Sequence, residues 1–149
     1  MKKGAGILLS GLIILFSASN SAGSPSIEEL IHKRVEMFKS SGKNIKTLNK
    51  LIRSGENSRA MRLLDFHVTW SKNMPLFFPL GSEASVSNGS DASSDIWDNP
   101  VGFNTAIKRY NLASKELKKA LNAADQASIN RSFKSLISSC KGCHKQFRN

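Results

Sequence analysis

The apolar residues of this chain recur with the period of an α-helix, and no stretch alternates as a half-buried strand does. The first stripe runs Ile27, Leu30, Ile31, Phe38, Ile45, Leu48, Leu51, Ile52, interrupted by Arg34 and Ser41. Ser26 ahead of Glu28 and Glu29 offers an N-cap and an acidic first turn, and Ser54-Gly55 offers a stop. A second helix is expected from about Ser58 to Asn73, with Met61, Leu64 and Val68 directed inward, Phe66 as a further inward candidate, and Met74-Pro75 as its end. From there to Asp98, Pro75, Pro79, Gly81, Gly89 and a Ser/Asn/Asp-rich run read as a crossover loop. A loop of that length needs a reason, and joining two helices that are not hairpin neighbours supplies one. Asn99-Pro100 opens a third helix, with Phe103, Ile107, Tyr110, Leu117 and Leu121 at helical spacing. Asp125 caps a fourth, which carries Ile129, Phe133, Leu136, Ile137, Cys140, His144 and Phe147. The expected fold is all-α, an antiparallel four-helix bundle with a long crossover loop between helices 2 and 3.

A chain of 149 residues fits one domain. Residues 1–23 open with Lys2 and Lys3, continue through an apolar run from Ile7 to Phe16 and close on small residues, the pattern of a signal peptide. The run falls short of the roughly 20 apolar residues of a spanning helix, so cleavage is expected rather than anchoring. Residues 24–149 are then one mature domain in a bacterial periplasm, without stable membrane insertion. Without Lys2 and Lys3, 20 basic side chains stand against 11 acidic ones, a net charge of +9. Export disfavours nucleic acid as the partner of that charge. It reads mainly as solvated helix faces, with steering of an acidic protein partner as the second reading.

The chemistry lies in Cys140-Lys141-Gly142-Cys143-His144. Each thiol of such a motif can add across one haem vinyl group, and the adjacent imidazole supplies a nitrogen to the iron. On a helix, Cys140, Cys143 and His144 fall at i, i+3 and i+4 and share one side, here the apolar one. A thioredoxin-like dithiol normally sits in a βαβ setting, and no strands are visible. A disulfide closing so short a loop stabilises little, and a zinc site lacks a second cysteine pair, leaving only His32 and His67 to complete it. One covalently bound haem c is the expected cofactor. No Ser/His/Asp set, paired-carboxylate motif or phosphate-binding glycine loop argues for an enzyme.

The C-terminal Ser139-Cys140-Lys141-Gly142-Cys143-His144-Lys145-Gln146-Phe147-Arg148, the Ile96-Trp97 followed by Phe103, and Phe78-Pro79-Leu80-Gly81 resemble cytochrome c′, the class II cytochromes c. The resemblance spans roughly Ile27 to Arg148, and cytochrome c′ is itself a standard example of the four-helix bundle. It implies that His144 is the proximal iron ligand and that the first helix covers the opposite face. Low-spin members place a Met four residues after a first-helix Arg and four before a Gly; high-spin members place an apolar side chain there. Arg34 and Gly42 fit that frame here, and the residue between them is Phe38.

Met37 stands one position early, a rotation of about 100°. Phe38 is therefore expected to cap the distal face over five-coordinate iron and Met37 to pack beside it, with Met37 as the sixth ligand if the helix winding changes locally. His32 and His67 are further candidate ligands, although a lone helical histidine is more often a surface or satisfied core residue. Arg34 interrupts an apolar stripe, where its charge must be paired or snorkel to water; the resemblance assigns it to a haem propionate. Arg148, four after His144, resembles the proximal-side Arg of the family or neutralises the helix end. The expected function is one-electron transfer with a redox partner protein, with binding of NO or CO as the alternative and a haem-free dithiol oxidoreductase as a third. The resemblance also implies an antiparallel homodimer.

Overall fold

Ser26 starts the first helix through a reciprocal capping box: its Oγ accepts from the Glu29 N–H at 3.2 Å, and its own N–H donates to Glu29 Oε2 at 2.7 Å. The computed structural model describes residues 24–149, so the expected signal peptide lies outside the described residues. Four long helices follow one another: α1 (Ile27–Arg53), α2 (Asn57–Asn73), α3 (Pro100–Asn122) and α4 (Gln126–Phe147). Gly55 at φ 73° turns the chain between α1 and α2, a conformation that favours glycine. Asn99 caps α3 by accepting from the Gly102 N–H at 2.9 Å, with Pro100 in the first turn. Asp125 caps α4 through the Ala127 N–H.

The α1–α2 and α3–α4 links are short, so each pair runs antiparallel, and both links turn at the same end of the bundle. Aliphatic side chains close that end: Leu48, Leu51, Ile52, Ala60, Leu117, Leu121 and Ile129 are buried. α3 packs on α2 and α4, and α1 packs on α2. α1 and α4 stand apart toward the other end and frame a groove lined by aromatic rings. Among the described residues no helix is long and apolar enough to cross a membrane.

The crossover segment is more ordered than its composition suggests. A 3₁₀ turn, Met74–Phe77, continues α2, and a single helical turn, Asp95–Asp98, precedes α3. Between them the chain is tied to the end of α4 by an isolated antiparallel bridge between Ala92 and Arg148, with Ser93 N–H donating to Phe147 O at 3.1 Å and Asn149 N–H to Asp91 O at 2.9 Å. The segment therefore floors the groove between α1 and α4. That is the structural use of its length.

Candidate haem site

Helical spacing sets Cys140, Cys143 and His144 along the side of α4 that faces the groove. Both thiols are free and half-buried, and the imidazole is the more exposed of the three. Burial pushes the Cys140 thiol up and, with Cys140 beside it, the Cys143 thiol up to about 11. Each sulfur thus keeps its proton at neutral pH, the hydrogen that adds across a vinyl together with the sulfur. Burial, and then the Arg148 charge, lower the His144 pKa and favour the neutral imidazole that a metal requires.

Opposite α4, Phe38 projects from α1 against the His144 ring, edge to face with centroids 5.9 Å apart. Phe38 also contacts Trp70 at 5.5 Å and Phe78 at 6.4 Å, and the aromatic wall continues from Phe78 to Phe103 and on to Phe147. Two apolar cavities flank this contact. An outer one of 280 Å³ is lined by Arg34, Phe38, Phe78, Phe103, Cys143, His144 and Arg148 among others. An inner one of 210 Å³ is lined by Phe38, Ile45, His67, Tyr110, Cys140, Cys143 and His144 among others. Phe38, Cys143 and His144 line both. Two protonated thiols and a neutral imidazole, on one side of an apolar slot that opens past a single phenyl ring, fit covalent haem. The donor set matches its two vinyl groups and its iron.

The structure brings five of the expected site residues to the outer cavity: Cys143, His144, Arg34, Phe38 and Arg148. Cys140 lies on the inner side. Met37 is half-buried against the core and lines neither cavity; its carbonyl accepts from Ser41 Oγ at 2.9 Å. His32 is exposed beside Glu36 at 4.0 Å.

Arg34 is held by the crossover segment. It is 3% exposed, so it does not snorkel. Its Nη1 donates to Phe77 O and Ser82 Oγ at 3.0 and 2.9 Å, and its Nη2 to Ser82 O and Ser90 Oγ at 2.5 and 2.6 Å. The guanidinium also lies 4.5 Å over the Phe78 ring. The four hydrogen bonds tie both Nη groups to the crossover segment. Burial lowers the Arg34 pKa, and the Glu83 charge partly restores it. Arg148 is likewise claimed by the crossover: it ends α4 in extended backbone and donates to Asp91 Oδ2 at 3.1 Å from Nε and 2.7 Å from Nη2. Sequence reasoning missed Ser82 and Ser90 as the partners of Arg34, because serines in a Ser-rich run carry no positional signal. It also placed His67 as an isolated residue, although its spacing from Ala60 and Leu64 sets it on the inner stripe of α2.

A helical bundle with two thiols and an imidazole on one side of an apolar groove is a bundle-type haem protein of the c class. Residues 29–148 match the family model for cytochrome c′. The chain belongs to the cytochrome c′ family, whose members are non-enzymatic haem proteins, and the two C-terminal cysteines, Cys140 and Cys143, hold haem c covalently.

The cytochrome c′ of Pararhodospirillum photometricum is 26% identical over 125 residues, covering 83% of this chain and 98% of that protein. Two solved structures share the fold. A cytochrome c′ described by its unusual ligand-controlled dimer dissociation superposes with a TM-score of 0.75 at 15% identity, covering 85% of this chain and 98% of that one. A ferrous variant of the Alcaligenes xylosoxidans cytochrome c′ with bound NO gives a TM-score of 0.73 at 18% identity, with coverage of 85% and 98%.

Proposed function

We propose that this chain is an exported, periplasmic mono-haem cytochrome that carries single electrons, with His144 as the proximal iron ligand and Phe38 covering the opposite face of five-coordinate iron. The observation that carries the reading is the pairing across the groove. The Phe38 ring, not a methionine, stands against His144, and Met37 lies outside both cavities. Haem, when bound, supplies a ferric/ferrous couple. The protein's part is to hold it by two sulfurs, to ligate it through an imidazole kept neutral, and to wall it with the apolar rings of Phe38, Phe78 and Phe103. In this reading Arg34 and Arg148 act on the haem indirectly, by fixing the segment that floors the groove. The redox partner is an acidic protein drawn by the net charge of +9 on residues 24–149. By analogy with the relative whose dimer responds to ligand, the protein pairs as a homodimer.

A second reading has its own support: a relative of the same fold holds NO in its ferrous form. An open face behind a phenyl ring would admit NO or CO and reject larger ligands. The ferrous absorption spectrum with and without carbon monoxide tests both readings. A broad high-spin band that changes with the gas is the expected result. A sharp low-spin α band indifferent to the gas places Met37 on the iron, and colourless protein removes haem altogether. Met37→Leu is expected to leave the spectrum unchanged.

A further inference from the structure

Three buried side-chain nitrogens among the described residues have no hydrogen-bond partner: His67 Nε2, Trp70 Nε1 and Trp97 Nε1. Of the three, His67 lines the inner cavity, which is also lined by both thiols, Cys140 and Cys143. Its side chain is fully buried, and its other ring nitrogen, Nδ1, lies 2.5 Å from the Tyr110 hydroxyl. A phenol is a stronger acid than a neutral imidazole N–H, and an imidazole nitrogen is a stronger acceptor than a phenol oxygen. Tyr110 therefore donates to Nδ1, and the proton of the neutral ring sits on Nε2. Burial holds the ring neutral, with its pKa lowered to about 4, and pushes the Tyr110 hydroxyl up, so neither gives up its role at ordinary pH.

A buried donor without an acceptor is costly, and sites that retain one commonly have a use for it. Haem offers few acceptors there. Its propionates leave the porphyrin at the edge away from the vinyl groups, and the vinyl edge is the one joined to Cys140 and Cys143. We infer that His67 Nε2, oriented by Tyr110, is a hydrogen-bonding site for one small acceptor molecule in the inner cavity, either a ligand on the iron or a water held beside it. The inference rests on the open iron face proposed above. It adds to that face a polar contact set by α2 and α3 rather than by α1.

The test uses the haem-loaded ferrous protein with carbon monoxide as the probe, comparing the parent with His67→Leu and, in case the leucine variant does not fold, with Tyr110→Phe, which releases the proton from Nε2. A hydrogen bond to the bound gas lowers its C–O stretch. If the occupant is the iron ligand, both substitutions move the infrared band to higher wavenumber and speed gas loss by roughly fivefold. If it is a water, the band stays and His67→Leu accelerates gas binding by a similar factor, because no water has to leave. A band and rates unchanged in both variants, with the gas bound, overturn the site while leaving the open face intact. Failure of the parent to bind the gas overturns the open face and this site with it.

Discussion

A guanidinium shut away from water keeps its charge only by spending its N–H groups on fixed oxygens, and Arg34 spends four hydrogen bonds on one segment. Arg34→Leu removes those bonds and takes from the buried Ser82 Oγ the donor it accepts from, while Ser82 O keeps Ser90 Oγ and Ser90 Oγ keeps the Ala92 N–H, so it is expected to cost about 2–4 kcal/mol in urea unfolding of the haem-loaded protein. The exposed pair of Arg148 with Asp91 is the control, and Arg148→Ala is expected to cost no more than about 1 kcal/mol. His67 sets a pH dependence of its own. The unfolded chain takes up the imidazole proton near pH 6.5, whereas the folded protein resists it until about pH 4. Stability from this residue is complete above the unfolded value and falls as pH drops through that window, by roughly 3 kcal/mol. Unfolding midpoints measured from pH 7 to pH 4 are expected to decline less steeply in His67→Leu than in the parent. Equal slopes would mean that the folded protein protonates His67 readily.

At the scale of the helix, what was legible in the sequence was whatever depends on neighbours in the chain. Ser26, Asn99 and Asp125 cap their helices because a cap needs only the next three residues, and the Cys140, Cys143 and His144 alignment follows from helical pitch alone. The crossover was read as a loop because its anchors come from elsewhere: Arg34 from α1 and the Ala92–Arg148 bridge from the end of α4. On the inner face of α2, Leu64 is buried and Met61 and Phe66 pack against the core as expected, but Trp70 and His67, not named for it, are buried there too. Polarity hid the histidine.

Gly142 offers an element-scale test, because nothing lies within 4 Å of a Cβ added there. Its flexibility weakens the helix that carries the haem ligands, so Gly142→Ala is expected to stabilise the protein by about 0.5–1 kcal/mol in thermal unfolding. The haem spectrum should not change. A loss of stability would show that bound haem needs the space.

The whole molecule divides into a closed aliphatic end and an open aromatic end, and its charge follows the helices rather than that division. Between Met37 and Arg53, α1 carries Lys39, Lys43, Lys46, Lys50 and Arg53 without an acidic residue, and α4 carries Arg131, Lys134, Lys141 and Lys145 likewise. Those two helices frame the groove, and none of these nine side chains has an acidic partner among the salt bridges of the described residues. Exposed unpaired cations act on a partner at the distance of the Debye length, about 10 Å at 0.1 M salt and about 3 Å at 1 M. Electron exchange with an acidic redox protein is therefore expected to slow by at least tenfold between those salt concentrations in stopped-flow measurements. Exchange with a basic partner should quicken instead, because screening then removes a repulsion. A rate to the acidic partner that ignores salt would mean that the lysines serve only to solvate their helices, and that encounter is governed by the apolar rim of the groove.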